Sequence, residues 1–280
     1  AKLGKINSEE STALIEKLGK YIRVGKINSQ VLESAKKFGF NKKLADYFEA
    51  NTLKEIVMAR EFFKIIPPNT PSEHLVFSCL LHILHGNRPY ALSRRSHGIT
   101  PFAPTGDFEY KNLIDHLKEK VARSFAIALP ENFIEGDMLY QDATSWWPRG
   151  IENLDAIITS PPFFDSTRFY LANWLRLWLS GWDEEDFEKR PLGFVDEKQK
   201  IGFDIYEPIL RQARERLNPG GVVVFHLGKS SKCDMAEKLA EVAKRWFKVA
   251  DVFEESVEDG ESHGIRDKGT VVKHQFLILT

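Results

Sequence analysis

The sequence predicts an α/β protein with a helical region over residues 1–130 and a layered α/β region over 131–280. Three observations predict it. Up to about residue 130, apolar residues recur at helical spacing between polar ones. Beyond it, short β-branched or aromatic runs alternate with helical stretches. The last two such runs follow each other without a helix between them, which implies an antiparallel edge to the sheet.

The elements follow in order. Ile15, Leu18 and Ile22 mark a first helix; Val31, Leu32, Ala35 and Phe38 mark a second. The string GKINS occurs at 4–8 and again at 25–29, and two copies read as paired helix-entry turns rather than a solenoid. Thr52 and Glu55 form a capping-box signature before IVMAREFF, and Pro67-Pro68 stops that helix. Thr70, Pro71 and Glu73 open another, reaching about His85 and ending at Gly86. Tyr110, Leu113, Leu117 and Val121 form a final amphipathic stretch. The predicted strands are ENFIEGD, LDAIITS, GVVVFHLG, FKVADVFEE and VVKHQFLIL, with helices at IYEPILRQARERL and MAEKLAEVAKRW. The first of those helices closes at the turn Asn218-Pro219-Gly220-Gly221. Trp174 and Trp178, four apart, read as core packing, and DEEDFEKR as a solvated helix start.

Composition bounds the rest. With 280 residues, 42% hydrophobic and 28% charged, the chain can bury a core, and disordered or collagen-like classes are excluded. No apolar run approaches the roughly 18 residues of a membrane span, and the N-terminus AKLGKINSEES is too polar for a signal sequence. Cys79 and Cys233, far apart, offer neither a disulfide framework nor a zinc module. A cytoplasmic protein without a membrane partner is expected. The net charge of −1 argues against a generally basic nucleic-acid coat, but its distribution is uneven. Residues 1–100 carry 16 basic and 9 acidic side chains, so this third is the side for a polyanion.

Chemistry concentrates at Ser160-Pro161-Pro162-Phe163, directly after the strand LDAIIT, where open α/β sheets place their sites. Two prolines fix φ and remove two backbone donors, leaving carbonyls free to accept from a ligand. The ligand implied is an amino group. Accepting its protons at the Ser160 hydroxyl and the Pro161 carbonyl draws a conjugated nitrogen towards tetrahedral geometry and frees its lone pair for attack on an activated methyl. Phe163 then stacks on the ring, as aromatic pockets hold a base rotated out of its duplex. The alternative is a rigid strand-to-loop corner with Phe163 in the core.

TSPPF after a hydrophobic strand resembles the catalytic motif of the S-adenosylmethionine-dependent DNA amino-methyltransferases, which methylate cytosine N4 or adenine N6. The wider string LDAIITSPPFFDSTRFYLANWLRLWLSGW, with an earlier GD, is similar to the bacterial DNA modification methylases over roughly 130–280. The resemblance implies a Rossmann-like class I methyltransferase sheet, S-adenosylmethionine as cofactor and DNA as partner. It makes Ser160, Pro161, Pro162 and Phe163 the catalytic and base-stacking residues, and Asp137, at the tip of FIEGD, the partner of the cofactor's adenine; a turn or helix cap is the other reading of Asp137. The chain departs from the family in one respect. The glycine-rich loop that binds the methionine part of the cofactor is missing, as are the first two strands. Either an upstream portion is supplied by a second polypeptide or lost by truncation, or cofactor binding has been lost. Completion of the sheet that ALPENFIEGD begins favours the former, and makes 1–130 an insertion.

Between Glu73 and Asp107 there is no acidic residue, while Arg88, Arg94, Arg95 and four of the eight histidines (His74, His82, His85, His97) fall there. Its second half, the loop 86–106, is long and basic, and reads as DNA-facing, with Arg88, Arg94, Arg95 and His97 approaching phosphates and the target strand. A solvated, packed loop is the other reading. A metal site from Cys79, His82 and His85 is disfavoured because no carboxylate accompanies them. His263, in the loop GESHGIRDKGT, lies where related enzymes close the pocket around the extruded base; a plain surface loop is the alternative.

Three functions compete. The leading one is direct methyl transfer to a flipped base, with no covalent enzyme intermediate, since no Cys lies near Pro161. Ser before Pro-Pro favours cytosine N4 over adenine N6 within the family. An RNA or protein-glutamine methyltransferase shares a Pro-Pro-aromatic corner, usually led by Asn or Asp. The third is a non-catalytic DNA-binding or partner subunit that keeps the fold without the cofactor loop.

Overall fold

The computed structural model describes residues 6–40, 42–86, 90–96, 101–164, 166, 168–257 and 271–280. It is a mixed α/β architecture with N-terminal helices and a C-terminal four-stranded sheet. The chain divides into two compact units: residues 1–139 with 170–186, and residues 140–169 with 187–280. No helix among the described residues is long and apolar enough to cross a membrane.

The first unit begins with α1 (Ser8–Val24), α2 (Ser29–Lys37) and α3 (Leu44–Tyr47). The repeated GKINS supplies an asparagine N-cap twice: Asn7 accepts from the Glu9 and Glu10 amides, and Asn28 from the Gln30 amide. Next come α4 (Ala50–Ile65), α5 (Pro71–Ile83) and α6 (Leu113–Phe125). α5 carries the expected capping box between Thr70 and Glu73. The box read at Thr52 and Glu55 is corrected. α4 starts three residues earlier, capped by the Glu49 carboxylate, and Thr52 is buried inside it, its hydroxyl bridging the Lys111 backbone. Glu55 instead caps α6, accepting from the Leu113 amide at 2.8 Å and from the Tyr110 hydroxyl, which lies outside the helix.

The run ENFIEGD forms no strand, a second correction. Residues 131–139 are irregular and exposed, with Ile134 at 89% and Met138 at 78%. An extended run becomes a strand only where a neighbour takes up its backbone bonds, and none lies beside it among the described residues. Asp137 is therefore not at a strand tip.

β1 (Leu154–Thr159) is followed by three short helices, α7 (Phe169–Ala172), α8 (Trp174–Leu179) and α9 (Glu184–Lys189). Trp174 and Trp178 on α8 are buried in the first unit's core beside Phe38, as read from their spacing. α10 (Val195–Lys198) and α11 (Glu207–Arg216) precede β2 (Leu217–Ser230); α12 (Met235–Ala243), β3 (Val249–Ser256) and β4 (Val271–Leu279) complete the chain.

The sheet order is β1-β2-β4-β3. β1 runs parallel to β2, and β4 is antiparallel to both its neighbours. The Asn218–Gly221 turn is a bulge inside the start of β2. Pairing jumps from Leu154–Leu217 to Ala156–Val222, and Gly220 takes φ +83°, which suits glycine. Alternate residues of β2 and β4, Val223, Phe225, Leu227, Leu277 and Leu279, point to one face and pack with Leu210, Met235 and Leu239 of α11 and α12. Burying such side chains supplies about 1.5–3 kcal/mol each. The opposite face carries Ile158, Val224, His226, His274, Phe276 and Phe253, and is less covered, with Ile158 77% exposed. Among the described residues no strand pairs with the outer edge of β1.

Candidate functional site

β1 delivers Ser160 at its carboxyl end, and register decides what Ser160 meets. Thr159 pairs with Phe225 of β2, so the next residue falls beside His226. The exposed Ser160 hydroxyl lies 3.3 Å from His226 Nδ1. His226 Nε2 in turn lies 3.0 Å from His274 Nδ1 on β4. A neutral imidazole has one N–H, so His226 donates along one of these contacts and accepts along the other.

The prolines carry the chain out of the sheet and the following residues clamp it. Gln199 Nε2 donates to the Pro162 carbonyl at 3.0 Å, and the buried Tyr206 hydroxyl donates to Gln199 Oε1 at 2.8 Å. Burial pushes the Tyr206 phenol far above its usual range, so it stays a donor. The Phe164 amide points at Met235 Sδ, and its ring stacks on Phe203. Ser166 closes the turn by donating both its amide and its hydroxyl to the Phe163 carbonyl. Pro162 is thus engaged, whereas no hydrogen bond reaches the Pro161 carbonyl among the described residues.

Phe163 is half-buried. Its ring meets His226 edge-on at 5.3 Å and His274 at 5.8 Å, and it lies directly over Gly228 of β2. Within the same unit a cleft of about 540 Å³ runs along Pro162 and Phe169, with Tyr140, Asp142, Phe194 and Asp196 on its other walls. That volume lies within the range of small-molecule sites. Asp196 is buried and accepts from the Phe169 amide, which holds that wall in place.

Burial, then the neighbouring His274, push the His226 imidazole below the ordinary histidine range; Glu255 opposes them. His226 is therefore neutral at pH 7 and able to take a proton.

The other sequence-predicted residues fall elsewhere. Asp137 belongs to the irregular segment of the first unit and is exposed. Arg94, also in the first unit, spends its guanidinium on the Gly106 and Asp46 carbonyls and covers the Phe108 ring at 4.0 Å, so it holds its own loop together. The Arg95 side chain is exposed, while its backbone bridges Thr105. Arg88, His97 and His263 lie outside the described residues. Cys79 faces Ser124, with its thiol pushed up by burial, while His85 Nδ1 pairs with Ser93 and His82 leans on Tyr90. Sequence reasoning missed His226, His274, Gly228 and Gln199. A signal existed for His226, a titratable side chain in the apolar strand run VVVFHL; His274, between Lys273 and Gln275, carries no such signal.

S-adenosylmethionine, which the resemblance implies, fits these residues in part. The cleft beside Pro162 is wide enough for a planar heteroaromatic ring, but a glycine-rich strand-to-helix turn for the amino-acid end does not occur among the described residues. No protein-family model, curated protein or solved structure matches the chain.

Proposed function

We propose that the Ser160–Phe163 corner binds the exocyclic amine of a nucleobase and presents it for methylation. In this reading the chain carries the amine-binding part of an S-adenosylmethionine-dependent DNA amino-methyltransferase, on a Rossmann-like class I sheet, with cytosine N4 as the favoured target and adenine N6 the alternative. The observation that carries the proposal is a pair of acceptors at the carboxyl end of a parallel strand and one residue from a cleft: the exposed Ser160 hydroxyl, and the Pro161 carbonyl, which takes no hydrogen bond among the described residues. An amine with two N–H groups can satisfy both acceptors at once.

The residues have separate tasks. Ser160 Oγ accepts one N–H while its own O–H turns towards His226 Nδ1; the Pro161 carbonyl accepts the other. Both bonds pull the nitrogen out of conjugation with its ring. The Gln199–Tyr206 pair keeps the corner rigid, and Phe163 offers an aromatic surface for the base. The bound cofactor supplies an electrophilic methyl group on sulfur, and Phe169 and Phe194 line the space for its ring.

A further polypeptide that brings the glycine-rich loop belongs to this proposal. The outer edge of β1, unpaired among the described residues, and the exposed Ile158 support it, because an open strand edge offers backbone groups for pairing and parallel sheets are ordinarily covered on both faces. DNA as partner draws on the basic excess of residues 1–100 and on the exposed Arg95. A binding-only subunit is the second reading, favoured by the missing cofactor loop.

Nucleoside mass spectrometry of DNA from a methylation-free host tests these readings, with the chain expressed alone and with any polypeptide encoded beside it. N4-methylcytosine is the expected product. N6-methyladenine selects the alternative base, and neither product, with DNA binding retained, selects the binding-only subunit.

A further inference from the structure

His226 has both ring nitrogens engaged and its plane pinned. Phe276 stacks on it at 4.8 Å and 19°, Phe163 meets it edge-on, and Phe253 continues the stack across β3 at 4.7 Å from Phe276. The ring cannot turn without breaking this packing, so Nδ1 stays aimed at Ser160 Oγ and Nε2 at His274 Nδ1. Such a chain, from an exposed hydroxyl through one half-buried imidazole to a second, exceeds what packing requires. A stacked Phe or Leu would fill the same place on β2 without two polar nitrogens to satisfy.

We propose that His226 and His274 form a two-imidazole relay that takes up the proton released by the amine held at Ser160. The proposal rests on the amine-binding reading of the corner and assigns that reaction its proton acceptor. As the nitrogen bonds to the methyl carbon of an alkyl sulfonium donor, the carbon–sulfur electron pair leaves with sulfur as a neutral thioether, and the nitrogen holds one proton in excess. That proton passes to Ser160 Oγ while the Ser160 hydroxyl proton passes to His226 Nδ1 and the His226 Nε2 proton passes to His274 Nδ1. Serine and His226 end neutral, and the net transfer is one proton from amine to His274, which is partly exposed and passes it to water. The charged or titratable groups facing His226 among the described residues are His274 from β4 and Glu255 from β3, which stands opposite His274 in the register. Ser160 and Phe163 face it from the corner, and Phe276 from β4. Glu255 favours the positive charge as it arrives.

Imidazole nitrogen NMR on the 280-residue chain tests the relay without cofactor. His274→Gln should raise the His226 midpoint, Ser160→Ala should change the His226 Nδ1 shift, and 2′-deoxycytidine should move the same signal in the wild type but not in Ser160→Ala. A His226 signal that ignores both substitutions overturns the relay. In the methyl-transfer assay of the complete assembly, His226→Gln should lower kcat about a hundredfold with KM little changed, and should remove the acidic limb of the pH profile. His274→Gln, at a half-exposed position, should displace that limb even where His226→Gln fails to fold. Wild-type kcat and an unshifted profile in both variants overturn the relay alone, whereas no transfer by the wild-type assembly overturns the amine-methylation reading and the relay with it.

Discussion

Phe163 lies so close over Gly228 that a β-carbon at Gly228 would stand 2.8 Å from Phe163 Cδ2 and 2.9 Å from Cγ. The contact joins the corner after β1 to the carboxyl-terminal end of β2, and glycine is what lets the aromatic ring settle against the sheet. The space is filled by the ring body rather than a flexible tip, so a methyl group there must displace Phe163.

Gly228→Ala is therefore expected to move Phe163 and cost about 1–3 kcal/mol of stability by overpacking. Thermal unfolding, together with deoxycytidine binding followed through the Phe163 ring signals, checks it. An unchanged Tm with unchanged binding would show that Gly228 does not set the ring's position.

Ser160→Ala should leave the fold alone, because Ser160 is exposed and its only described side-chain bond is to His226. Stability should change by less than about 0.5 kcal/mol, while methylated product disappears. Full product formation by a folded Ser160→Ala protein removes the hydroxyl from the mechanism.

Tyr206→Phe should cost about 1–3 kcal/mol, the penalty for leaving Gln199 Oε1 buried without its donor. The loss should reach the corner as well, because the same Gln199 holds the Pro162 carbonyl. Denaturant unfolding gives the first quantity, and hydrogen exchange of the Phe164 and Ser166 amides gives the second.

A pH dependence follows from His226. Its folded value lies below the ordinary one, so as pH falls the unfolded chain takes up this proton first, near pH 6.5. Stability should thus decline below about pH 6.5 and level off once the folded ring is also protonated. Tm measured between pH 7.5 and 5 should show the decline, and His226→Gln should remove that component. A wild-type curve that rises on acidification would contradict the assignment of a depressed value.

Ile158, 77% exposed on the open strand, tests the proposed second polypeptide. Ile158→Lys should leave the isolated chain within about 0.5 kcal/mol of wild type but abolish co-purification with a polypeptide that completes the sheet. Retained co-purification would place that contact elsewhere.

Much of the architecture was legible because its signals are local. The asparagines of the two GKINS strings cap helices within three residues of themselves, and Thr70 and Glu73 close their box across one turn. The four strands that formed announce themselves by short β-branched or aromatic runs. The failures have a common cause. Thr52 looked like a cap because its neighbours suit one, yet its hydroxyl is taken by Lys111, 59 residues away. ENFIEGD has the composition of a strand, but a strand exists only with a partner, and none lies beside it among the described residues.

The amino-acid order by itself determined that a rigid Ser-Pro-Pro-Phe corner follows an apolar strand, since φ restriction and missing donors are properties of proline wherever it stands. Only the tertiary structure decided what surrounds that corner. Strand register brought His226 from 66 residues away to Ser160, and His274 from a further 48, and set Gly228 beneath Phe163. Register is a collective outcome of which faces are buried, so a shift by one residue would have turned both histidines to the opposite side of the sheet.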